Sequence, residues 1–138
     1  MFALLAFLVS TPLSQLDEQL AGQLRQAIWH DLQVNAMIGN GNWLGSLWFN
    51  VGSDNGSTEN LHIRDLACRS AASGLECTFT LFRDGGPRST MGETAPDTLA
   101  CHATFWEIES GSEWAVRHLP PRKVGHSQTT MKCDQSPS

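Results

Sequence analysis

Leu61-His-Ile-Arg-Asp-Leu-Ala-Cys68-Arg-Ser-Ala-Ala-Ser-Gly-Leu-Glu-Cys77-Thr-Phe-Thr-Leu-Phe82 holds two β-like segments around a short Ser73-Gly74 turn, with a cysteine in each segment. The run reads as a hairpin stapled by a disulfide. Such a staple requires Cys68 and Cys77 on the same face. Alternation then puts Leu66, Phe79 and Leu81 on that face, which suits a core. It also puts His62 and Arg64 there, while Leu61, Ile63 and Phe82 point the other way. Two resolutions stand open: a bulge near Asp65 resets the alternation, or the second face of the sheet is also covered.

The chain has four cysteines, Cys68, Cys77, Cys101 and Cys133, an even set that suits an oxidising compartment. Of the three possible pairings, Cys68–Cys77 with Cys101–Cys133 is favoured, the first local to the hairpin and the second tying the C-terminal tail to a strand. On the chain-entropy model these loops are worth about 3 and about 4 kcal/mol. The chain has no Cys-x-x-Cys pair, so no metal site is expected. Phe2 to Val9 is an apolar run of the length found in a leader peptide and too short to span a bilayer as a helix. No Lys or Arg precedes it and no Ala-x-Ala site follows. Residues 1–14 are read as a signal peptide, and the mature protein as periplasmic or secreted.

The 138 residues suffice for one domain with a core of its own. It is placed over 15–119, followed by an irregular tail over 120–138 tied back by Cys133. Leu16, Leu20, Leu24, Ala27, Ile28 and Leu32 recur at three- and four-residue spacing, which predicts an amphipathic helix from Gln15 to about Ala36. Ser14 and Asp17 resemble a capping box at its start. The helix stops before the Gly39–Asn42 stretch. Beyond it the period changes to two. Strands are expected at Trp43–Val51, Leu61–Cys68, Leu75–Arg83, Leu99–Ile108 and Trp114–Leu119, with a turn at Gly52–Glu59 and a long loop at Asp84–Asp97. The fold class is therefore α+β: one N-terminal amphipathic helix on an antiparallel meander of about five strands, stapled by disulfides. In outline this resembles the cystatin-like architecture. The Gln-x-Val-x-Gly turn of the cystatin inhibitors is missing from the sequence, so the resemblance carries over no residue role.

Five tryptophans and no tyrosine make an unusual aromatic balance. Trp48, Trp106 and Trp114 are the candidate ligand-binding residues. Trp48 and Trp106 on the less-covered sheet face would form an apolar platform for a protein or glycan partner. The net charge of −5 excludes general nucleic-acid binding. From Ala115 onward the balance is +3, which reads as a basic tail folding back on an acidic body.

No catalytic constellation stands out. Glu107, Glu109 and Glu113 surround one predicted turn and read as solvated carboxylates rather than a glycosidase pair. His30, His62, His102, His118 and His126 lack His-x-His or His-x-x-x-His spacing, although His62, His102 and His118 could meet across strands. No Gly-x-Ser-x-Gly elbow or phosphate loop is present, and no cofactor is implied. Asn55-Gly56-Ser57 fits the glycosylation pattern. The expected function is thus a small exported, non-catalytic binding or inhibitory protein. The alternatives are an envelope hydrolase using carboxylates or strand histidines, and a structural subunit pairing through an apolar sheet face.

Overall fold

The computed structural model describes residues 17–52, 58–72, 74–90, 93–109, 113–119 and 128–135. The apolar run Phe2 to Val9, Ser14, His126 and the Asn55 motif lie outside them. Helix α1 spans Glu18–Ile38. Its N-cap is Asp17, whose Oδ1 accepts the Leu20 N–H at 2.8 Å. Leu24, Ile28 and Leu32 are fully buried, so the apolar stripe read from the sequence is the core face. Gly39 ends the helix with φ 74°, and its N–H bonds the Asn35 carbonyl.

Trp43–Gly52 is a second helix, α2, and not the expected first strand. Leu44, Leu47, Trp48 and Val51 repeat at helical spacing as well as partly alternating, and a short apolar run permits both readings. Asn42 decides between them. Its side-chain oxygen accepts the Gly45 N–H at 3.3 Å and its carbonyl accepts the Ser46 N–H at 2.9 Å, an N-cap that starts a helix. Trp48 is then fully buried, stacked 6.4 Å from Trp29 of α1, with its indole N–H on the Asp97 carbonyl.

The remaining elements are strands: β1 (Leu61–Ala71), β2 (Gly74–Arg83), β3 (Arg88–Thr90), β4 (Glu93–Ala95), β5 (Thr98–Glu109), β6 (Glu113–Val116), β7 (His118–Leu119), β8 (Gln128–Thr129) and β9 (Lys132–Gln135). The main antiparallel sheet has the order β1-β2-β5-β6, and β9 also pairs with β5. β6 takes the C-terminal half of β5 (Phe105↔Val116) and β9 the N-terminal half (Cys101↔Cys133). The fifth strand of the sheet therefore comes from the tail that the sequence reading left irregular. β3 and β4 form a small hairpin inside the predicted long loop, and β7 pairs with β8.

Both disulfides are present, Cys68–Cys77 and Cys101–Cys133, each between directly paired residues. The register question posed by Cys68 is answered at Asp65. Its φ of 55° marks a bulge, and pairing resumes shifted between Arg64↔Thr80 and Ala67↔Thr78. Ile63 thereby pairs with Leu81 and Cys68 with Cys77 on the inner face, and Arg64 faces out beside Thr80. The outer face carries His62, Arg69, Glu76, Thr78, Thr80 and His102, with Phe82 under the Arg64 guanidinium at 4.1 Å. Over β1 the second apolar sheet face read from the sequence is therefore not formed, whereas on β5 Trp106 and Ile108 remain on the face opposite Cys101, Ala103 and Phe105 and are exposed. The bulge returns Leu61 and Ile63 to the core, and the segment holding Trp48 is not a strand.

Candidate functional site

An open groove of about 980 Å³ lies between α1 and the edge strand β6. One stripe of the helix forms its first wall: Gln23, Gln26, His30 and Gln33, with Ala27 and Val34 beside them. These positions recur at three- and four-residue spacing, next to the buried stripe that anchors α1. All four residues of β6, Glu113 to Val116, form the opposite wall. Trp106 and Ile108 of β5 extend that wall, and both are exposed.

Three indoles reach the groove. Trp29 is held by its stack on Trp48 and by Phe49, 6.4 Å away at a tilt. Trp114 is half-buried against the core. Trp106 is 44% exposed, with the Arg117 guanidinium 5.5 Å from its ring centroid.

A buried polar network supports one end of the groove. Asp31 sits in the apolar stripe of α1 and is 5% exposed. Its Oδ1 accepts from His118 Nε2 at 2.6 Å and from Asn40 Nδ2 at 3.3 Å, and its Oδ2 accepts the Thr129 hydroxyl at 2.8 Å. Asn35 continues the network, accepting the Asn40 N–H at 2.8 Å and donating to the Asn42 carbonyl at 2.7 Å. Asn42 Nδ2 in turn lies 3.6 Å from Cys133 Sγ. One carboxylate thus connects α1, the turn before α2, and the arm formed by β7 and β8.

The structure separates the three predicted tryptophans. Trp106 and Trp114 line the groove, while Trp48 lies in the core beneath it and supports Trp29. The histidines also separate. His62 is on the outer sheet face, 2.8 Å from Asp84, and His102 lies on the same face on β5. His118 is on the groove side with Asp31. Among the described residues, no group of three or more His, Cys, Asp or Glu is placed to hold a metal ion. Glu113 lines the groove and Glu107 is exposed.

Sequence reasoning missed Trp29, Asp31 and the glutamines. Asp31 and Asn35 carried a signal: they fall at stripe spacing from Leu24 and Ile28, where polar residues are buried only when partnered. No protein-family model matches the chain, and neither does any curated protein or solved structure.

Proposed function

We propose that this is a small exported binding protein without catalytic activity, which captures its ligand in the groove between α1 and β6. The observation that carries this reading is the groove itself: Trp29, Trp106 and Trp114 converge on one open cavity beside the amides of Gln23, Gln26 and Gln33. Indoles on rigid elements supply apolar contact area, and planar amides supply orienting hydrogen bonds. Two disulfides persist in oxidising compartments, which supports a periplasmic or secreted location. Among the described residues, no helix is long and apolar enough to cross a membrane. We read the arrangement of a long helix preceding an antiparallel sheet as cystatin-like in outline, with no inhibitor residue transferred.

The test is retention from envelope extract on the immobilised oxidised protein, compared with Trp106→Ala. Trp106 is exposed, so its removal spares the fold. Wild type is expected to retain a partner, and the variant to lose it by about tenfold or more. No retained partner, together with turnover in a hydrolase substrate panel, would overturn the proposal. The His118–Asp31 contact in the groove wall favours a hydrolase as the second reading, because a carboxylate that orients an imidazole is the arrangement of a general base. That reading predicts loss of turnover in His118→Gln with Trp106→Ala only mildly affected.

A further inference from the structure

We infer that the groove takes an extended peptide, which adds to the sheet as a strand along β6. This rests on the binding reading above and names its ligand class. Among the described residues, β6 pairs only with β5, so its other edge ends the sheet on that side. Consecutive residues Glu113, Trp114, Ala115 and Val116 all line the groove. Side chains of a strand alternate between faces, so a groove touching all four runs along the strand's edge rather than over one face.

The ladder fixes which main-chain groups look into it. The Arg117 N–H bonds the Thr104 carbonyl at 2.7 Å, making Thr104 and Arg117 a hydrogen-bonded pair. Alternation along Phe105↔Val116, Trp106↔Ala115 and Glu107↔Trp114 then turns Ala115 toward β5. It turns the N–H and C=O of Trp114 and Val116 away from β5, toward the groove. These are the hydrogen-bonding positions a second partner strand of β6 would use, and β6 presents about 13 Å of edge.

The facing helix stripe at Gln23, Gln26, His30 and Gln33 lies where alternate side chains of such a peptide would project. A slot between a helix and a sheet edge suits an extended chain better than a sugar ring, because the main chain supplies affinity and the helix selects side chains. Charge does not select among such peptides: Asp31 is 5% exposed and bonded to His118, Asn40 and Thr129, while Glu113 lines the groove and the Arg117 guanidinium lies 5.5 Å from the Trp106 ring centroid.

A positional-scanning library of ten-residue synthetic peptides, screened against the oxidised protein beside a glycan array, tests the inference. Amide exchange by NMR is read with the best-binding peptide. In the free protein the Ala115 and Arg117 amides are expected to be protected and those of Trp114 and Val116 to exchange quickly. Peptide binding should slow Trp114 and Val116 by about tenfold or more. N-methylation of the peptide should abolish binding at alternate residues only. Library peptides that fail to bind while oligosaccharides do so, in a Trp106-dependent way, would overturn strand addition and leave the groove as a binding site. Peptides that bind without protecting Trp114 and Val116 would overturn it as well. Neither class binding, with no partner retained from extract, would remove the binding reading itself.

Discussion

The two flanks of β5 are built differently. On one side β2 runs beside it in an unbroken ladder from Leu75↔Phe105 to Phe82↔Thr98, and β2 is joined to β1 by a local hairpin whose disulfide spans nine residues. On the other side two short strands share the edge, β6 near one end and β9 near the other, and the disulfide there spans 32 residues. The join between them is made by a side chain. Thr130 Oγ1 donates to the Arg117 carbonyl at 2.7 Å and accepts the Thr104 N–H at 3.2 Å, linking β5 to the residue that follows β6 and the residue that follows β8 where the ladder changes partner. The first flank is closed by apolar packing and main-chain pairing. The second depends on buried polar groups and leaves an open groove. Rigid, self-contained pairing makes the scaffold, and the patched flank holds the candidate site.

The largest expected effect lies in the polar network of the second flank. Asp31→Ala removes the acceptor of His118, Asn40 and Thr129 together, and should cost about 3–5 kcal/mol in urea unfolding of the oxidised protein. Asp31→Asn keeps an acceptor and should cost less. If Asp31→Ala costs under about 1 kcal/mol, the network does not hold that flank together. The disulfides come next. Replacing Cys101 and Cys133 by Ala should cost about 4 kcal/mol, against about 3 for Cys68 and Cys77, because the longer loop constrains the unfolded chain more. Equal costs would mean that closing the far flank adds nothing beyond the local hairpin.

This contrast also explains what the sequence revealed. The helix stripe, the hairpin and its Cys68–Cys77 staple were legible, because each rests on periodicity or on partners close along the chain; Cys101–Cys133 followed as the remaining pair, and the sequence posed but did not settle the choice between a bulge at Asp65 and a covered second face. Trp43–Val51 was misread because its apolar residues fit both periods; the deciding residue, Asn42, lies just outside the run. β9 was missed because a four-residue strand shows no pattern until β5 lies beside it. Of the site, Trp106 and Trp114 were legible as aromatics on strands. The helix wall was not, since Gln23, Gln26 and Gln33 look like any solvated face until β6 is placed across from them.

Gly74 tests the tightness of the first flank. It begins β2 with φ 149°, and a Cβ there would sit 2.0 Å from the Phe105 carbonyl oxygen, a main-chain atom that cannot swing aside. Gly74→Ala should therefore destabilise by about 2 kcal/mol in thermal or urea unfolding, since the strand pair must separate to admit the methyl group. An unchanged midpoint would mean the hairpin end is loose and that the contrast between the flanks is weaker there.

The smallest expected effect has the opposite sign. Gly22 lies within α1, close to Gln23 of the groove wall, and a Cβ added there meets nothing within 4 Å. Its backbone is ordinary helix, so alanine adds no strain and removes freedom from the unfolded chain. Gly22→Ala should raise stability by about 0.5–1 kcal/mol. Its value lies in the combination with Asp31→Ala. Gly22 acts through the unfolded chain and Asp31 through contacts to the turn and the β7–β8 arm, so the two effects should add to within about 0.5 kcal/mol. A larger deviation from additivity would show that the helix wall and the polar network move as one unit. A ligand filling the groove would then stiffen both together.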